Sequence, residues 1–142
     1  MGGIKARIYQ LLTNSGFHCL TEFPTNRLPR LVAPMIAVGV KSTEIKPAAV
    51  GGYLGANDDQ EACIGFLATT TVRLDVYAPY LGGGSACSTT MQDAVGVLLA
   101  GGTGQTLRKV RMDNVRFDAD ADCYRCSALL TFEALIFQVK SV

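Results

Sequence analysis

The chain has 142 residues, the size of one domain, and a chain of that length buries about two-thirds of its unfolded surface without needing staples. It is 49% hydrophobic and only 18% charged, and thirteen Lys+Arg against twelve Asp+Glu leave a formal net charge of +1. That balance lacks the single-sign excess that a dedicated DNA or RNA binder sets against phosphate, and no window reaches the roughly 18 uninterrupted apolar residues of a membrane-spanning helix.

The first element expected is an amphipathic helix over residues 3–15. Ile4, Ile8, Leu11 and Leu12 recur at helical spacing, Lys5, Arg7 and Gln10 take the other side, and Gly16 supplies the stop. The start Met1–Arg7 is charged and has no apolar export segment behind it, so folding in a cytoplasm is expected. Phe17–Phe23 alternates as a short strand up to Pro24, and a loop through Arg30 follows. A second strand is expected from Met35 to Ile45, with Ile36, Val38 and Val40 on one face. Residues 46–62 hold Pro47, Gly51, Gly52, Gly55 and the polar run Asn57–Glu61, and read as a long exposed connection.

Ile64, Phe66, Ala68, Thr70, Val72, Leu74, Val76 and Ala78 then fall on one side of a period-2 pattern, opposite Thr69, Thr71, Arg73 and Asp75. A strand of that length extends about 50 Å, more than the core of a small domain requires, so part of it should project or bend. Pro79 and Gly82–Gly84 close it. A second helix is expected to open at Ser88 or Thr89, where Thr89–Gln92 fits a capping box, to bury Met91, Ala94, Val95, Leu98 and Leu99, and to end at Gly101. Two more strands, about 105–117 and 123–139, are joined by the acidic turn Asp118–Asp122. The apolar parity moves from Val110 and Met112 to Val115 and Phe117, which predicts a bulge near Asp113 and Asn114. The expected fold is one α+β domain over residues 1–142: an antiparallel or mixed sheet of about five strands with two helices packed on one face.

Four features invite chemistry, and each falls short of its requirement. Cys123 and Cys126 form a CxxC, but zinc needs four converging ligands, and the chain has no second CxxC and one histidine, His18. Residues i and i+3 of a strand also face opposite ways, which places Cys126 in a core and Cys123 on the other face. Asp118, Asp120 and Asp122 start like a calcium loop that then has Cys123 and Leu129 where Gly and Glu are needed. Gly82–Ser85 precedes a helix but has no Lys after the glycines, and His18 has no nucleophile elbow to serve. With an odd number of cysteines, five, no disulfide framework is expected, nor any metal, cofactor or catalytic centre.

The layout resembles the tail terminator and tail-completion proteins of tailed phages and phage-derived contractile particles. The likeness rests on a helix ending in Asn14-Ser15-Gly16-Phe17, the strand Pro34–Val40, the loop Gly51-Gly52-Tyr53-Leu54-Gly55, the strand Val72–Pro79, a Gly-rich linker before a helix ending in a Leu-Leu pair, and a closing hairpin. It implies a structural protein made in a bacterial host cytoplasm and carried in the virion tail. Six copies commonly form a ring that caps the tail tube and meets the neck proteins. Subunit contacts are then expected at Tyr53, at acidic Asp58, Asp59 and Glu61, and at basic residues such as Arg27, Arg30, Arg108, Arg111 and Arg116 of a neighbour. Another head-tail connector or baseplate subunit shares this size and lack of chemistry, and a small ligand-binding α+β module is the remaining alternative.

Overall fold

A computed structural model describes residues 3–20, 33–49, 53–56, 62–120 and 122–140. In chain order the elements are α1 (Ile4–Asn14), β1 (His18–Leu20), β2 (Met35–Pro47), β3 (Tyr53–Ala56), β4 (Ala62–Pro79), α2 (Gly83–Leu99), β5 (Thr106–Met112), β6 (Arg116–Asp118) and β7 (Cys123–Lys140). Helix α1 ends as its sequence predicts. Gly16 takes φ +95°, the Phe17 amide donates to the Leu12 carbonyl and the Gly16 amide to the Thr13 carbonyl, a paired closure that needs a residue tolerant of left-handed backbone.

The sheet is mixed, with β1 parallel to β2 and every other pairing antiparallel. Its order is β1-β2-β4-β7-β5, with β3 on β4 and β6 on β7. Among the described residues the count is seven strands where about five were expected, because two rows are interrupted. Strand β3 pairs with β4 at Ala62–Ile64, where β7 already occupies the other edge, so β3 continues the β2 row. Strand β6 continues the β5 row in the same way beyond a break at 113–115. That break lies where the parity change predicted a bulge, and the Asp113 amide still reaches the Ser127 carbonyl across it at 2.9 Å. Register shifts occur instead at Val40/Ser42, Tyr53/Gly55 and Leu107/Lys109.

The main core joins Ile4, Ile8 and Leu12 of α1 and Cys87, Met91, Ala94, Val95 and Leu98 of α2 to one side-chain parity of the sheet. That parity comprises Ile36 and Val38 of β2, Val72, Leu74, Val76 and Ala78 of β4, and Cys126, Ala128, Leu130 and Phe132 of β7. The alternation in β4 is the one expected, and in β7 Cys126 faces the core with Cys123 on the other side, as their spacing requires. The start of α2 differs from expectation. The helix opens at Gly83, directly after a 3₁₀ turn at Tyr80–Gly82, so Gly83–Ser88 is helix rather than linker and Thr89–Gln92 lies inside it rather than capping it. Gly83 enters at φ +72°, a backbone conformation that favours glycine, while a Cβ on Gly84 would meet Val115 at 3.4 Å and Tyr124 at 3.6 Å, ordinary contact distances.

The described residues of connection 46–62 include strand where an exposed connection was expected. Strand β2 runs on to Pro47, β3 occupies Tyr53–Ala56, and Leu54 lies over Gly65, where any Cβ would collide with it.

Candidate interaction surface

The three central strands outrun the core. Strands β4 and β7 pair along 18 residues each, from Pro79 opposite Cys123 to Ala62 opposite Lys140, but the buried apolar stripe stops near Ala68 and Phe132. Strand β2 is buried from Ile36 to Gly39 and exposed from Val40 to Pro47. The bulge at Lys41 switches the β2 parity, so Thr43, Ile45 and Pro47 stand opposite Thr70, Ala68 and Phe66 and continue the core-facing side. Tyr53 stands opposite Ile64, and Ile136 opposite Phe66, on that same side. Here Ile45 is 59% exposed, Tyr53 55%, Ile136 45% and Val40 43%. One face of one sheet is therefore dry core at one end and an uncovered apolar surface at the other.

The opposite parity of the sheet carries a buried polar cluster. Asp75, 1% exposed, accepts from Arg73 Nε at 3.0 Å, Arg125 Nη2 at 3.1 Å and the Ser127 hydroxyl at 2.6 Å, and the Tyr77 hydroxyl lies 3.4 Å away. Burial pushes the Tyr77 phenol up, and the Asp75 charge adds to it. Ala37, Tyr77 and Cys123 form a small second cluster on this side. A carboxylate so enclosed needs its cations, because an unpaired buried charge is far more costly than a paired one.

The cysteines divide as the strand alternation requires, with Cys126 in the main core and Cys123 in the second cluster. The Sγ of Cys126 lies 3.3 Å from that of Cys87, and the hydrogen bond between them, with burial, pushes the Cys87 thiol up. Among the described residues no group of three or more His, Cys, Asp or Glu side chains converges as a metal site would require, and no helix is long and apolar enough to cross a membrane.

Of the residues expected at subunit contacts, Tyr53 lies on the uncovered apolar surface, while Arg111 and Arg116 are exposed on β5 and β6. Arg108 sits in the β5 register shift and is held by Glu133 of its own chain at 2.8 Å. Asp58, Asp59, Glu61, Arg27 and Arg30 lie outside the described residues. Sequence reasoning missed Ile45 and Ile136, whose exposure depends on where the helices stop, and Asp75, whose charged neighbours come from two strands. No protein-family model and no curated protein matches the chain.

Proposed function

We propose that this protein is a structural subunit of a phage-type tail, a terminator of which six copies close into a ring over the last ring of the tail tube and below the neck proteins. The observation that carries this reading is the apolar surface at Val40, Ile45, Tyr53 and Ile136. An isolated domain rarely leaves the extension of its own core face wet, and a patch of this kind marks a surface that another protein covers. The reading takes both helices as packed on one face of the sheet, which the shared core of Ile8, Leu12, Met91 and Leu98 with Leu74 and Leu130 supports. It also takes the protein as having no catalytic role, and its place as the virion tail. A connector or baseplate subunit would use the same surface, and differs only in which proteins it meets.

The double variant Ile45→Glu, Ile136→Glu tests this. Both positions are exposed in the free chain, so thermal stability should change little, by about 0.5 kcal/mol or less for each site. Binding to tail tube and self-association should be lost, because two carboxylates would have to be buried without partners. A variant that still caps tubes and still fixes tail length would contradict the proposal.

A further inference from the structure

The register of β5 and β6 collects positive charge that the linear sequence scatters. Leu130 and Phe132 of β7 lie in the core with the helices, so Arg125, Leu129 and Thr131 face the other way. Lys109 stands opposite Thr131, Arg111 opposite Leu129 and Arg116 opposite Arg125. Arg73 of β4 is also opposite Leu129. Five cationic side chains from four strands therefore share one face.

Their anions are few. Asp75 is buried between Arg73 and Arg125, and Asp118 reaches Arg125 at 3.9 Å. Lys109, Arg111 and Arg116 are exposed and make no ion pair among the described residues. Arg116 and Arg125 moreover face each other across two strands, and like charges in that position cost stability in a lone subunit. The same hairpin ends in the opposite charge. Its turn presents Asp120 and Asp122 to solvent, shaped by the Asp120 amide donating to Asp118 Oδ1 at 3.1 Å and by Asp122 at φ +52°.

We propose that the acidic turn of one copy docks on the cationic strip of the next, with Asp120 and Asp122 received by Lys109, Arg111 and Arg116. This rests on the reading that copies of the chain assemble, and it names the polar contact between them. The two surfaces are different, so the contact is head-to-tail. Contacts of that type close into a ring when the rotation between copies allows it. The occupant is a second copy because the chain supplies both charges, and because Lys109, Arg111, Arg116, Asp120 and Asp122 make no ion pair among the described residues.

Charge exchange tests it. Sedimentation velocity at low salt would compare the wild type with Lys109→Glu, Arg111→Glu, with Asp120→Lys, Asp122→Lys, and with all four changes in one chain, each checked for folding by circular dichroism. Each two-residue reversal should weaken self-association by about tenfold or more, and the fourfold variant should recover most of it, since complementarity returns at positions 109 and 111 while Arg116 alone stays unmatched. Added salt should weaken the wild type as well. A wild type that assembles while the reversals leave it unchanged, or a fourfold variant that fails to recover, overturns the contact alone. A wild type that stays monomeric at every concentration overturns the assembly reading and the contact with it. Reversals that spare assembly but abolish retention on heparin overturn the contact with a second copy and assign the strip to a polyanion.

Discussion

Replacing Asp75 with Ala is expected to destabilise the fold by about 3 kcal/mol, the lower end of the range for breaking a buried ion pair. The carboxylate is enclosed, and three donors converge on it: Arg73, Arg125 and the Ser127 hydroxyl. Its loss leaves Arg125 with a charge whose Nε already has no partner, held by cross-strand packing beside Arg116. Arg73 and Arg125 keep some access to water, which holds the cost to the low end. Asp75→Asn keeps the shape and an acceptor for Ser127, so its cost should be smaller. Urea unfolding followed by circular dichroism reads both variants. Equal stability for Asp75→Ala and wild type would show that the network is solvated.

Phe132→Ala is expected to cost about 3–5 kcal/mol, the usual range for emptying a buried aromatic site. Phe132 is fully buried, opposite Thr70 on one side and Leu107 on the other, and its ring fills the far end of the core. Ile136 shares its strand and its face four residues on, yet is 45% exposed. Ile136→Ala should therefore cost about 0.5 kcal/mol or less. The contrast locates the edge of the core between the two positions. Similar thermal losses for both would mean that Ile136 is covered within the single chain.

Much of the fold was legible in the order of residues, because strand and helix periods leave different marks. The alternation from Ile64 to Ala78 fixed both the extent of β4 and its inward side, and Gly16 marked the end of α1. The misreadings have local causes. Glycine is a poor helix former, so Gly83 and Gly84 read as a linker, and Thr89–Gln92 imitated a cap inside the helix. Strand β3 has only four residues among glycines, too few for a period to show. The cationic strip was half visible. Arg111 and Arg116 stood out as charges, but the register shift at Arg108 sends that residue to Glu133 and brings Lys109 beside Thr131, which no fixed parity predicts. The apolar surface was anticipated only as excess strand length, since nothing in β2, β4 or β7 alone says where the helices end.

Closure of copies through unlike surfaces is read out most directly by negative-stain electron microscopy of the purified protein, alone and mixed with tail tube. Closed rings of uniform diameter with an open centre are expected, free in solution or seated on one end of each tube. Open filaments would contradict closure, because unlike surfaces that fail to close grow without limit. Monomers that leave both tube ends bare would contradict it as well.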